Sequence, residues 1–481
     1  MKRPALLLFF IVLQAGFLFS SEIGNYICPC SFMIFFPSAE NLIDSSKLLF
    51  KKFYSRNYEQ MMLQMSSDSK NSYGIDVFDL KSLEKAGFDL KSPVCFVHIS
   101  NDSGYMLLPV KSKNDMTTFI NNNLKGNAQF RFVGSFLALS RDKSLLNRVG
   151  AASIEKSPGF IISEKKLSFG WDKTLVWMES SYLSDVSSSI GVTANLKLPY
   201  GFTSFIVNIT DQKISIKAYS GIIPTDQKLY IQNINNISFV EKNDLLDYIE
   251  GNPAVEGQIY LNLPVLYRYY TYIDSINILG LKGFIDELRE KYMVNVERDL
   301  INNTDGRIKI VVDKFDTVNN EYVIYGSIGI RDPITADYFM DSLKNAILES
   351  DNQLFTFDLF TRPFYHFKNP NYSIFYGTIG NDLYFSTDKG VLTNLIKNIF
   401  ENKTISADKL PDFFKEAKEK KSAGFYFTLD TQSLFNQVKT VMQFDPDLLI
   451  GVKNIYIYGT PDKGDRAFGW NCDLDFNYYQ K

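Results

Sequence analysis

The chain has 481 residues, 45% of them hydrophobic, which is material for roughly two to four packed domains. Its formal net charge is −3 with both signs interspersed, and this balance excludes a dedicated nucleic-acid binder. Aromatics reach 15%, but Asn, Lys and Ile are abundant as well, so AT-rich coding and core filling explain them before a sugar-binding or lipid-facing surface is invoked.

The chain opens with "MKRPALLLFFIVLQAGFLFSSE". Lys2 and Arg3 form a positive start, Pro4 to Phe19 is apolar apart from Gln14, and Ser20 and Ser21 are small. This pattern predicts a signal peptide over 1–21, with an uncleaved membrane anchor as the alternative. No later segment is apolar for the roughly 18 residues that a spanning helix needs. A short segment, 22–30, follows and holds Cys28 and Cys30 in "ICPC". Asn25-Tyr26-Ile27 lacks the small residues of a lipoprotein box, so lipid attachment there is the lesser reading. Cys95 and Cys472 complete a set of four cysteines. In an oxidising compartment they can pair, in a connectivity that sequence does not set. A Cys-x-Cys metal clip lacks supporting His or Met motifs.

"SFMIFFPSAENLIDS" (31–45) reads as strand, Pro-containing turn and helix. The helix is expected over 39–66, with a core stripe of Leu42, Leu49, Phe53, Met61 and Met65. "HISNDSGYMLL" (98–108) and "NITDQKIS" (208–215) read as hairpins on their polar centres. Helix 281–293, "LKGFIDELREKYM", is amphipathic, with Leu281, Phe284, Ile285, Leu288 and Tyr292 on its apolar face. The basic run "KEAKEKK" (415–421) reads as a solvated helical face. In "NCDLDFN", Cys472, Leu474 and Phe476 alternate with polar residues, as on a sheet with one solvated face.

The chain repeats itself. "VGSFLALSRDKSLL" (133–146) matches "IGNDLYFSTDKGVL" (379–392) at Gly134/Gly380, Leu137/Leu383, Ser140/Ser386, Asp142/Asp388, Lys143/Lys389 and Leu146/Leu392. The neighbours match as well. Segment 86–100 parallels 297–313, 107–124 parallels 329–343, and 174–186 parallels 423–438. The starts, 31–45 and 257–271, and the ends, 203–221 and 453–476, also correspond. The expected organisation is a first α+β repeat domain over 31–222, a connector over 223–252 and a second repeat domain over 253–481. Each would be a layered α+β domain, an antiparallel sheet with helices packed mainly on one face.

A glycine, a lysine and two hydroxyls at Ser386–Gly390 invite a phosphate-loop reading. The first copy has Ser144 where the second has Gly390, and a phosphate cradle needs glycine where the backbone closes on the anion. Asp142 and Asp388 are therefore read as helix N-caps or first-turn acids. The pairs Gly326/Gly329 and Gly377/Gly380 lack the dinucleotide fingerprint and read as turns between strands.

Hydrolase, metalloprotease, Walker and EF-hand signatures are missing from the sequence. The two histidines, His98 and His366, have no recognisable nucleophile beside them and read as structural or surface groups. Asp445/Asp447, Asp473/Asp475 and Asp351/Asp358 read as surface carboxylates, because closeness in sequence does not put two carboxylates across a sugar. Asn101, Asn208, Asn371 and Asn402 head glycosylation-type triplets, which matter only in a glycosylating host. No catalytic, cofactor-binding or metal-ligating residue is assigned.

Three motifs carry a family resemblance. They are Gly87-Phe88-Asp89 to Pro93-Val94, then Leu108-Pro109-Val110 to Phe119 and Leu124, then the strand-to-helix joint at Ser140-Arg141-Asp142 and Ser386-Thr387-Asp388. With the exported start, they make the chain resemble an uncharacterised family of exported bacterial proteins, a domain of unknown function. The second half departs from it with Ile330-Arg331-Asp332 in place of Leu-Pro-Val. The resemblance implies location and architecture and brings no catalytic residues. The expectation is an exported cell-envelope protein, periplasmic or surface-facing, with a non-enzymatic binding or scaffolding role. Its partner would be a protein or an apolar ligand of the envelope, met by default in the cleft between the copies. Membrane contact would come only through an uncleaved or lipidated N-terminal segment. A carrier of a lipid or other apolar ligand, and an envelope hydrolase, are the alternatives.

Overall fold

The computed structural model describes residues 23–53, 57–100, 103–123, 129–179, 182, 201–221, 245–249, 253–260, 262–272, 281–316, 321–348, 353–368, 373–405, 425–431, 452–462 and 467–476. The signal segment, the 415–421 run, Asp351, Asp445, Asp447, Asn101 and Asn371 lie outside them. Among the described residues no helix is long and apolar enough to cross a membrane.

β1 (Phe32–Phe36) opens the first unit. Met33 and Phe35 are fully buried, as two apolar residues on one face of a strand must be to pack. β1 pairs with β2 (Val94–Ser100) on one side and β6 (Thr174–Glu179) on the other, setting Phe35 opposite both Cys95 and Leu175. β3 (Ser103–Pro109), β4 (Gln129–Val133) and β5 (Phe136–Ser140) extend one side, and β7 (Phe202–Ile209) and β8 (Lys213–Gly221) the other. The antiparallel order is β4-β5-β3-β2-β1-β6-β7-β8.

The second unit begins at β9 (Val255–Tyr260) and continues with β10 (Thr304–Asp316) and β11 (Glu321–Ile330). β12 (Gln353–Leu359), β13 (Arg362–Lys368), β14 (Ser373–Ile379) and β15 (Asp382–Ser386) follow. β16 (Phe425–Asp430), β17 (Val452–Asp462) and β18 (Ala467–Phe476) complete it. Its antiparallel order is β12-β13-β14-β15-β11-β10-β9-β16-β17-β18. The fold is α+β, with helices interleaved between antiparallel strands. The hairpin β12–β13 was not foreseen from the sequence.

Three expectations need correction. The 39–66 helix is two helices, Ala39–Phe53 and Tyr58–Tyr73, because Asn57 leaves helical geometry at φ −115°. Only Ser69 of the second is buried, so Met61 and Met65 are half-buried groups rather than a deep core stripe.

The helices do not keep to one face. All five residues of β5 are buried, which requires cover on both sides of the sheet. On one side Leu137 packs with Ile43, Leu83, Met116 and Ile120 of the helices at 39–53, 80–85 and 113–123. In the second unit, helix Lys389–Phe400 builds one cluster with Tyr325, Phe364 and Tyr384. Helices Leu281–Tyr292 and Pro333–Leu348 build another with Tyr365 and Tyr376.

The glycine pairs are mostly strand residues. Gly326 and Gly329 lie in β11 and Gly377 in β14, and only Gly380, at φ +57°, is a turn residue. A Cβ on Gly377 would come within 2.5 Å of the Phe364 ring, so glycine there makes room for the aromatic across the sheet.

Candidate functional site

The residues singled out by sequence do not converge on a reaction centre. His98 Nδ1 lies 3.1 Å from Ser31 Oγ, and its ring meets Tyr182 edge-on at 5.0 Å. His366 stacks on Phe375 at 4.1 Å, and burial, with Lys368 and Lys389 nearby, lowers its pKa. Neither has a carboxylate among its described hydrogen-bond partners. Asp358, Asn208 and Asn402 are exposed. The side chains of Cys472, Asp473, Leu474, Asp475 and Phe476 lie outside the described set.

Cys28, Cys30 and Cys95 are buried free thiols. Tyr105 Oη accepts from the Cys28 backbone N–H at 2.9 Å and lies 3.4 Å from its sulfur. Burial, reinforced by the neighbouring thiols, pushes the Cys30 and Cys95 thiols well up. Among the described residues no group of three or more His, Cys, Asp or Glu can hold a metal ion.

Two surface grooves are better defined. The groove of the second unit, of about 480 Å³, lies between the turn Val296–Ile301 and the start of helix Pro333–Leu348. The turn is a π-helix, closed by Asn302 N–H donating to Glu297 O at 2.8 Å, and such turns recur at functional sites. Asn295 caps it by accepting from Arg298 N–H at 2.8 Å. Asp299 has a side chain only 5% exposed and receives both the Arg298 guanidinium and the Asn295 N–H. A buried carboxylate thus anchors an arginine that is itself 66% exposed. The opposite wall starts at Asp332, which accepts from Ile334 N–H and Thr335 Oγ1. The Thr335 hydroxyl bond, with the Ile334 N–H, holds the Asp332 carboxyl below its ordinary range. One turn on, Tyr338 is 63% exposed and Ile334 is 79% exposed.

The groove of the first unit, of about 550 Å³, lies between helices Leu80–Lys85 and Lys113–Asn123, with Lys70–Asp76 at one end. Its inner carboxylate is the half-buried Asp76, which accepts from Phe78 N–H and Ser66 Oγ and faces Lys70 Nζ at 3.5 Å. Burial alone would raise the Asp76 pKa, and these donors together hold it below the ordinary value. Gly74 takes the left-handed conformation at φ +72° to end helix 58–73 and turn the chain into the groove wall.

The two grooves are framed alike. In the first unit Lys111 N–H donates to Gly87 O at 2.8 Å and Val110 N–H to Ser135 O at 2.9 Å. In the second, Arg331 N–H donates to Asn303 O at 2.7 Å and Ile330 N–H to Asn381 O at 2.8 Å. Counted from these bonds, Ser82, Ala86, Asp115 and Thr118 of one groove fall on Arg298, Asn302, Thr335 and Tyr338 of the other. None of these residues stood out in the sequence. The signals that pointed to them were the matches of 86–100 to 297–313 and of 107–124 to 329–343, and Ser82 lies outside both.

No family model matches the chain, and no curated protein matches it. Among solved structures, two crystal forms of TP0453 were found. Form III has a TM-score of 0.25 at 8% identity, and form I has 0.24 at 9%; each covers 46% of this chain and 88% of that one. Scores this low carry no argument about fold or function.

Proposed function

We propose that this is an exported envelope protein in which one α+β unit occurs twice, and that its role is non-enzymatic binding through the groove of each unit. The repeat reading draws support from hydrogen bonds that recur one for one. Ser31 N–H donates to His98 O and Glu179 N–H to Ser31 O, as Ala254 N–H does to Val312 O and Asp430 N–H to Ala254 O. The strand orders agree as well once β12 and β13 are set aside as an addition. Export rests on the pattern of residues 1–21.

The observation that carries the binding reading is the recurrence of the groove between matched elements. Both walls keep polar side chains on exposed turns of helix, where packing alone does not require them. An apolar-ligand carrier is not favoured, because buried side chains occupy both sheet faces at β5, and aromatic rings occupy both at β13 and β14. A hydrolase is not favoured either, since the described partners of His98 and His366 supply no acid–base pair.

The test is photo-crosslinking in source cells from Thr118 and Tyr338, with Asn208 and Asp358 as exposed controls. Adducts at both groove positions and none at the controls are expected. A chain that gives no adduct at either groove position contradicts the reading.

A further inference from the structure

The two grooves differ in sequence at every matched position and yet collect the same chemical set. Each holds an inward carboxylate, the buried Asp299 or the half-buried Asp76, with an exposed cation lying on it, Arg298 or Lys70. The cation is neutralised where it stands, Lys85 and Asp115 in the first groove offset each other in charge, and Asp332 at the edge of the second is taken up by Thr335 Oγ1 and the Ile334 N–H, so neither groove concentrates the charge that selects an anion or a basic peptide.

Hydroxyls and amides surround the pair. Thr335 Oγ1 donates to Asp332 and Thr118 Oγ1 to Asn114 O, which leaves the lone pairs of both hydroxyls as acceptors. Asn302 in one groove and Asn122 in the other bring an amide with both donor and acceptor. Each groove also has a ring at its wall, the exposed Tyr338 or the half-buried Phe119.

A neutral ion pair, hydroxyl acceptors, an amide and one aromatic face match a molecule that carries hydroxyl donors on its edges and C–H groups on its faces. We propose that both grooves bind an uncharged carbohydrate, with the Tyr338 ring as the stacking face in the second unit. This rests on the binding reading above and specifies its ligand class. A chain with two such sites would engage a repeating glycan more tightly than either site alone, provided both are reached together.

The probe is chitohexaose, titrated calorimetrically into the full mature chain. The variants are Tyr338→Ala, Asn122→Ala and the double, all at exposed positions, and thermal unfolding checks that each stays folded. Saturable binding is expected, unchanged between about 50 and 500 mM salt because no net charge is involved. Tyr338→Ala should weaken its site about tenfold, and the double variant should weaken both sites. The proposal is overturned if chitohexaose does not bind, if the double variant binds as well as the parent, or if heparin hexasaccharide binds in its place. Crosslinks at Thr118 and Tyr338 without chitohexaose binding would discard the sugar and keep the grooves. Failure of both experiments would discard both readings.

Discussion

Asp142 and Asp388 each sit in extended geometry ahead of a helix and accept from a first-turn N–H, Ser144 in one case and Val391 in the other. Each in turn donates its own N–H to the serine two residues back, Ser140 or Ser386, at 3.1 and 3.0 Å. This Ser-x-Asp joint was legible in the sequence because capping is local: a short acceptor two or three residues before an apolar run has one productive use. Asp388→Ala should therefore lower the stability of the full mature chain by about 1 kcal/mol, read from its urea midpoint. An unchanged midpoint would show that the helix does not depend on this cap. The groove residues were not legible for the opposite reason. Arg298 and Asp299 look like any adjacent pair of charges until a π-turn buries one and leaves the other out, and Tyr338 looks like core until its side of the helix is seen to face solvent.

The elements that the sequence placed well are those with periodic burial or a polar hairpin centre. β7 and β8 close on the Thr210–Lys213 turn, and helix 281–292 ends one residue from its expected limit. The hairpin β12–β13 escaped because its two-residue turn is Phe360-Thr361, and neither residue signals a turn. Both take positive φ, +51° and +65°, which a type I′ turn requires and which Asn-Gly would supply without strain. Phe360 is held there partly by the Phe400 ring, 5.0 Å away. Replacing Phe360→Asn together with Thr361→Gly should stabilise the chain by about 1 kcal/mol, less whatever the lost ring contact contributed. Thermal unfolding that falls after this exchange would mean the ring contact outweighs the backbone strain.

For the molecule as a whole, the proposed repeat rests on self-comparison of the sequence, which pairs the starts in a register that the hydrogen bonds do not share. It set Ser31 against Gly257, whereas the hydrogen bonds to His98 and Val312 set Ser31 against Ala254. β1 is apolar at every step, so its own pattern does not fix which residue of β9 it matches. The burial of both faces at β5 and β13 is why helices, expected mainly on one face, cover both. The central claim is that two matched units carry two working grooves. Amide hydrogen exchange of the full mature chain, with and without chitohexaose, tests it most directly. The account predicts slowed exchange in both 80–86 with 113–123 and 296–303 with 333–338. Slowing confined to one unit, or found only outside these segments, would contradict it.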